Sequence, residues 1–301
     1  MSRVEGGGVM EGSFADRSRV AVREAAGLAG LSCEGVELLR VGDRAVFRLA
    51  EGRVIARVAR PGGFGNAQRE VKVARWLLSE GMPVVEPLAG QQPVDADGLA
   101  VSLWWTAEGD WTTPVELGRL LRRFHSLKPP GSLSLPGLDV LDQARGRAKR
   151  ARGLSAAEHD VLLGAADRLD GELAGVEFEL PRSVIHGDAN IGNVLKQPDG
   201  RVVMFDLGGV CWGPPEWDLT ATAVYRDLGW HSRDQYREFC EVYGFDVTRM
   251  SGWPVLKSLQ ELRMVCWLAL KFQDGEEIAE EVRRRVDDLA NPERSRDWRP
   301  Y

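Results

Sequence analysis

The stretch His186-Gly187-Asp188-Ala189-Asn190-Ile191-Gly192-Asn193-Val194-Leu195, with Pro198-Asp199-Gly200 behind it, constrains this chain more than any other. The apolar pair Val184-Ile185 leads into it, and Val202-Val203-Met204-Phe205 carries the chain out again to Asp206. Asp-Gly between two apolar runs favours a two-residue hairpin turn. With Asp199 and Gly200 as that turn, Pro198 faces Arg201, and counting outward sets Asn193 opposite Asp206. Directly opposed side chains share a face with Cβ atoms about 5 Å apart. An amide oxygen and a carboxylate would then meet at the open end of the hairpin. Such hard donors suit Mg²⁺, which takes few protein oxygens and completes its shell with water and phosphate. Asp188 falls outside the paired segment, in the loop that feeds the first strand, and is left to face a second substrate. A carboxylate base beside an Asn and an Asp that share a metal is the minimal equipment for moving a phosphoryl group onto a hydroxyl. Taken singly, each of these residues is an ordinary turn former that bonds nearby backbone; the combination carries the reading.

Elsewhere the patterns are those of a mixed chain. Residues 36–41, 45–49 and 53–58 read as three strands joined tightly through Gly42-Asp43-Arg44 and Glu51-Gly52. The first turn holds one glycine and no GxGxxG, a weak signal for phosphate. Residues 67–80 read as a helix stopped by Gly81 and Pro83. Glu70 lies on its apolar stripe with Val73, Ala74 and Leu77, where an acid is costly unless paired. Arg57 is the expected partner and Arg53 the rival. Residues 83–87 and 99–104 read as two further strands. Thr113-Pro114-Val115-Glu116 is a capping box with Pro at the first helical position, ahead of the stripe Leu117, Leu120, Leu121 and Phe124. A helix is expected over 218–228 with Asp218 as N-cap. Val255, Leu259, Leu262, Cys266 and Ala269 form one late stripe, and Ile278, Val282, Val286 and Leu289 another. The acidic run 276–281 reads as a solvated helix face.

The 301 residues suffice for one large domain or two lobes around a cleft. A mixed charge with a net of -6 excludes the basic footprint of a nucleic-acid binder. No apolar run reaches spanning length, so no membrane partner is expected. Cys33, Cys211, Cys240 and Cys266 are widely spaced and read as reduced thiols of a cytoplasmic protein. The Gly-rich start lacks an apolar signal core, and residues 1–15 are expected to be flexible. Ten tryptophans are many for this length: Trp104, Trp105 and Trp111 cluster, and Trp212 and Trp217 follow Asp206. One or two could stack on an aromatic or sugar ring.

His186-Gly187-Asp188, four residues, Asn193 and then a hairpin ending in Asp206 resembles the aminoglycoside phosphotransferase family, small-molecule cousins of the protein kinases. Pro214-Pro215-Glu216-Trp217-Asp218-Leu219 matches a further family feature. The resemblance implies an α+β, bilobal protein-kinase-like fold: a small β-rich N-terminal lobe over 1–104 that binds nucleotide, and a larger, mainly helical C-terminal lobe over 105–301 that carries catalysis and the acceptor. It implies Asp188 as the catalytic base, Asn193 and Asp206 as Mg²⁺ ligands, and ATP, or GTP, as the donor. Arg57 stands where relatives put a phosphate-pairing Lys, with Glu70 as its partner; Arg60 is a nearby rival for that role. An Arg grips phosphate bidentately, in a different geometry from Lys. Residues 102–109 would connect the lobes, and Ser102 and Trp104 would contact the nucleotide. Asp218 would tie down the catalytic loop, with His186 and His125 structural. The late helices would line the acceptor site, where their acids could meet a substrate amine. The acceptor expected is a small hydroxylated molecule, first an antibiotic, with sugar, choline or homoserine as the alternative. Two other readings compete: an iron site from His186, Asp188 and His231, and a nucleotide-binding protein without catalysis, for which Arg57 is the one departure.

Overall fold

The computed structural model describes residues 8–49 and 51–301, with side chains from residue 14 onward. Of the start expected to be flexible, residues 1–7 lie outside the described part, and residues 8–15 open the first helix. In chain order the helices are α1 (Gly8–Leu28), α2 (Phe64–Ser79), α3 (Pro114–Phe124), α4 (Val140–Arg150), α5 (Ala156–Leu173), α6 (Glu216–Asp227), α7 (Arg233–Tyr243), α8 (Trp253–Ala269) and α9 (Glu276–Ala290). The strands are β1 (Glu37–Val41), β2 (Arg44–Leu49), β3 (Val54–Ala59), β4 (Val94–Ala96), β5 (Leu99–Trp105), β6 (Asp110–Trp111), β7 (Ser183–Ile185), β8 (Val194–Lys196), β9 (Val202–Met204) and β10 (Cys211–Gly213). They fall into two compact units. The first takes residues up to 112 with 130–134 and 192–210; the second takes 113–129, 135–191 and 211–301.

In the first unit, β1, β2, β3, β5 and β4 lie side by side in that order as an antiparallel sheet. Strand period two sorts its residues. Ala45, Phe47 and Leu49 of β2, Val54, Ala56 and Val58 of β3, and Leu99, Val101 and Leu103 of β5 form one apolar face, covered by Phe14, Ala21, Val22, Ala25 and Ala26 of α1. The alternate residues Arg44, Arg57, Ser102 and Trp104 share the other face with Val46, and Arg57 sits between Val46 and Ser102 as pairing partners. Residues 83–87, expected as a strand, make only single bridges, Val84 to Met204 and Pro87 to Trp104. Pro83 and Pro87 have no amide hydrogen to continue a ladder. The strand β4 arises instead, further on. Strand β5 runs on through Trp105, so Ser102 to Trp105 are not connector. The amides of Trp105 and Thr106 already donate to Glu86 and Arg53 carbonyls, both at 2.9 Å.

The remaining strands of this unit, β6, β8 and β9, make a second sheet. Its hairpin corrects the expected register. Val194 pairs with Met204 and Lys196 with Val202, the Gln197 amide donates to the Arg201 carbonyl at 2.8 Å, and Gly200 adopts φ +85°. The loop is therefore three residues ending in a left-handed glycine, and Asn193 is not directly opposed to Asp206. Where β6 meets β8, a Cβ on Gly109 would lie 2.3 Å from the Lys196 carbonyl oxygen. Gly109→Ala must push backbone apart and is expected to destabilise the protein by about 1–3 kcal/mol. Urea unfolding would measure it, and an unchanged midpoint would contradict the close approach.

The second unit is mainly helical. Leu117, Leu121 and Phe124 of α3 are fully buried, while Leu120 is half-buried. Thr113 caps α3, accepting from the Glu116 amide at 3.4 Å with Pro114 at the first position. Gly118 lets α3 approach α7 closely: a Cβ there would lie 2.9 Å from Val242 and 3.0 Å from Phe239. Helices α4 and α5 pack on α8, and α9 on α5 and α8. Strand β7 pairs antiparallel with β10, Ile185 beside Cys211, and so fixes the chain just before His186.

Candidate active site

In the first unit the buried acid on α2 organises the polar face of the large sheet. Helix α2 starts at Phe64, three residues before the expected start, and Glu70 faces the sheet at 4% exposure. Glu70 accepts from Arg57 at 2.7 Å, as expected, and from Arg44 at 2.8 Å, which was not expected. Arg53, the rival partner, lies exposed by Glu51. Arg60 turns to the Gly42 carbonyl and the Phe14 ring. Burial pulls the Arg57 guanidinium below its ordinary pKa despite Glu70. For Arg44 burial acts the same way, but the Glu70 and Asp206 carboxylates outweigh it and hold the group above its usual value. Both remain cations. The Arg57 guanidinium lies over the Trp104 ring, 5.0 Å from its centroid, and the Trp104 indole donates to the Ser102 hydroxyl at 2.9 Å. Ile55, Val85, Trp104, Leu195, Phe205 and Arg57 are among the residues lining a cavity of about 120 Å³ beside this pair, whose side chains other than Arg57 are apolar or aromatic.

Asp206 joins the same cluster. It follows Phe205, whose amide donates to the Asn193 carbonyl at 3.0 Å. Its backbone is left-handed at φ 59° and ψ 54°, a conformation that short polar Asp tolerates. This single twist, not strand register, sets the direction of its side chain. The carboxylate is 39% exposed and lies 3.7 Å from Arg44. The turn after it runs against the ion pair, since a Cβ on Gly208 would sit 3.0 Å from Arg44 Nη2. The first unit thus brings together Arg57, Glu70, Ser102, Trp104 and Asp206, with Asn193 at the same end of the hairpin. Arg44 was legible only as the residue closing the Gly42-Asp43 turn, at strand spacing two before Val46.

Asp188 belongs to the second unit, and its loop is held from below by Asp218. Helix α6 begins at Glu216, so Asp218 lies in its first turn and is not the N-cap expected. Its carboxylate accepts from the His186 amide at 2.6 Å and the Gly187 amide at 2.9 Å, and His125 Nε2 lies 3.0 Å away. Tyr243 contacts the other nitrogen of His125 at 2.8 Å. Trp217 donates to the Gly187 carbonyl at 3.1 Å, and Gly187 turns the loop at φ +78°. His186 is fully buried, and its Nδ1 accepts from the Asp188 amide at 3.3 Å. The loop is thereby fixed as an adaptor that presents the Asp188 side chain, which is 33% exposed. Asn190 donates to that carboxylate at 3.2 Å, and Arg263 of α8, unmarked in the sequence pattern, forms an ion pair with it. A larger cavity of about 350 Å³ elsewhere in this unit, between α4, α5 and α8, touches Trp217 but no other residue singled out in the sequence as a site.

Among the described residues, no group of three or more His, Cys, Asp or Glu side chains is placed to hold a metal. His186, Asp188 and His231 therefore do not assemble an iron site; His231 is buried against Tyr225 instead. One carboxylate and one amide at the hairpin end fit a different ion, a hard divalent cation that takes most of its oxygens from water and phosphate.

The sequence pattern of the phosphotransferase enzyme family matches residues 40–259, well over half of the chain. No curated protein matches the chain in sequence. Solved structures do match in fold. The amicoumacin kinase hAmiN, in complex with AMP-PNP and Ca²⁺, superposes with a TM-score of 0.68 at 14% identity, over 94% of this chain and 97% of that one. A microcompartment-associated aminopropanol kinase gives 0.69 at 17% identity over 89% and 95%. An aminoglycoside phosphotransferase from Streptomyces rimosus gives 0.62 at 23% identity over 81% and 97%. The architecture is the expected protein-kinase-like one, a β-sheet N-terminal region followed by a helical C-terminal region.

Proposed function

The chain belongs to the phosphotransferase enzyme family and is a small-molecule phosphotransferase acting on an alcohol group; from that premise we propose that it transfers the γ-phosphate of ATP, with Mg²⁺, to a hydroxyl of an antibiotic. The observation that carries the nucleotide side is the double salt bridge of Glu70 with Arg44 and Arg57 beside an apolar slot floored by Trp104. A base would enter the slot, with GTP a weaker fit to its apolar lining, and the phosphates would meet guanidiniums that Glu70 has already oriented. Ser102 acts through Trp104 by holding its indole. Asn193 and Asp206 would hold Mg²⁺, which when bound neutralises charge on the phosphate oxygens.

Asp188 supplies the acceptor side. Its carboxylate takes the proton of the acceptor hydroxyl as that oxygen forms a bond to the γ-phosphorus; the bond to the bridging oxygen breaks and ADP leaves with the electron pair. Most of the acceleration comes from orientation and fixed charge, and the doubly anchored 186–188 loop supports that role. An antibiotic acceptor draws support from two structural relatives named for antibiotic kinases, and the aminopropanol kinase keeps a metabolic hydroxy compound as the alternative. Four cysteines outside any disulfide accord with a cytoplasmic protein.

The test is MgATP turnover against a panel of hydroxylated antibiotics and sugars, with Asp206→Ala as the control. This variant is expected to lose about 10²-fold or more in turnover, because a catalytic metal contributes several kcal/mol. It should also lose the difference in ATP affinity between Mg²⁺ and EDTA that calorimetry shows for the wild type. An Asp206→Ala protein that still distinguishes the two would remove the metal assignment.

A further inference from the structure

The acceptor side of the second unit carries a charge pattern that the family resemblance does not provide. Arg263 is 12% exposed, projects from α8 and pairs with the carboxylate of Asp188. Tyr225 feels the same charge: burial and the Asp188 carboxylate push its hydroxyl up to about 12, against the opposing pull of Arg263 and Arg285. Arg285 of α9 is itself buried, bonded to Glu281 at 2.8 Å and set over the Trp298 and Tyr301 rings. Three acids of the 276–281 run on α9, where a substrate amine could have been met, pair with arginines instead. Glu276 pairs with Arg283 at 3.0 Å, Glu277 with Arg299 at 3.2 Å, and Glu281 with Arg285.

An ammonium brought to the reacting hydroxyl would therefore meet a carboxylate already neutralised and a fixed cation beside it. A neutral group meets no penalty, and an anionic group gains a guanidinium partner. We propose that Arg263 is a specificity-determining residue: it makes the acceptor of this enzyme a hydroxy compound without net positive charge near the reacting hydroxyl, and selects against polycationic aminoglycosides. The inference rests on the assignment of Asp188 as the base, and it narrows the antibiotic class rather than replacing it.

A matched set tests it: glucosamine, glucose and glucuronate, with streptomycin and kanamycin as polycations, assayed by transfer of labelled γ-phosphate. Wild-type enzyme is expected to favour the neutral or acidic sugar over glucosamine by about tenfold in kcat/KM and to leave the aminoglycosides unmodified. Arg263→Gln should shift that ratio toward the amine by about tenfold, through KM more than kcat, and Arg263→Lys should restore it in part. Circular dichroism and the affinity for MgATP, unchanged in both variants, separate selectivity from misfolding. Preferred phosphorylation of streptomycin or kanamycin by the wild type, a ratio that Arg263→Gln leaves alone, or MgATP binding without transfer to any member of the set each overturns the proposal. Failure to bind MgATP at all would instead remove the kinase reading beneath it.

Discussion

Asp188→Ala is expected to cut phosphate transfer by at least about 10²-fold, the lower scale for a positioned acid or base, while leaving the affinity for MgATP unchanged. The two halves of this expectation have separate structural causes. Asp188 belongs to the second unit, whereas Arg44, Arg57, Trp104, Asn193 and Asp206 all belong to the first. The loop itself should survive the substitution, because its anchors are backbone amides: His186 and Gly187 donate to Asp218 whatever the side chain at 188. What changes is Arg263, which loses its carboxylate partner while 12% exposed. Removing one member of a largely buried pair can cost several kcal/mol, so a stability loss must be told apart from a chemical one. Asp188→Asn is the separating variant. It keeps the shape and an acceptor oxygen for Arg263 but cannot take a proton, so it should fold as the wild type and remain as inactive as Asp188→Ala. Single-turnover kinetics would decide: near-normal transfer by a folded Asp188→Asn protein would falsify the base assignment.

The sequence carried the loop and the strands well because each has its own local signal. His186 to Asp206 combines turn residues with apolar flanks, and residues 36–58 hold three apolar, β-branched-rich runs separated by tight Gly turns, of which β3 alternates cleanly between faces. The Arg57–Glu70 bond was legible because an acid on an apolar stripe requires a partner, and the family resemblance put a phosphate-pairing cation at Arg57 on the strand before that helix. Three things were not legible. The hairpin register shifted by one, because a three-residue loop closed by left-handed Gly200 and a two-residue Asp-Gly turn have the same composition. Arg44 and Arg263 were invisible as site residues because many arginines occupy helix and strand surfaces, and only tertiary packing shows which of them bury a guanidinium against an acid. Helix α1 was missed because its start is Gly-rich and most of its core contacts are small: beside Phe14 and Val22, the sheet is covered by Ala21, Ala25 and Ala26, which mark no strong stripe. Asp218 illustrates a subtler shortfall. Its place near a helix start suggested capping of its own helix, which fails, whereas the tie to the catalytic loop that the family resemblance implied holds: its carboxylate accepts from the His186 and Gly187 amides.

Glu70→Ala is expected to destabilise the protein by about 3 kcal/mol, the lower end for breaking a buried pair by removing one partner. The lower end applies because the two cations left behind differ in their access to water. Arg57 is 15% exposed and held over the Trp104 ring, whereas Arg44 is 30% exposed and can turn outward. Arg57 therefore bears most of the loss. The same reasoning makes the defect conditional on anions. With Glu70 gone, the polar face of the sheet carries two guanidiniums and one nearby carboxylate, Asp206, a net positive patch that tripolyphosphate or ATP can occupy. Anion binding to the folded state alone adds stability as RT ln(1 + [L]/Kd), so millimolar tripolyphosphate should recover more stability in Glu70→Ala than it adds to the wild type. Recovery of stability does not mean recovery of catalysis: Arg57 then meets the phosphates without the carboxylate that fixed its direction, and turnover should stay low even at saturating ATP. Arg44→Ala in the Glu70→Ala background supplies the last discrimination. If the cost is charge left without a counter-ion, deleting the second cation relieves part of it, and the double variant should be no less stable than Glu70→Ala alone, a non-additivity expected of residues sharing one partner. Urea unfolding with and without tripolyphosphate measures all three quantities. Additive losses with no anion dependence would mean that Glu70 acts by packing rather than by orienting two phosphate-binding cations.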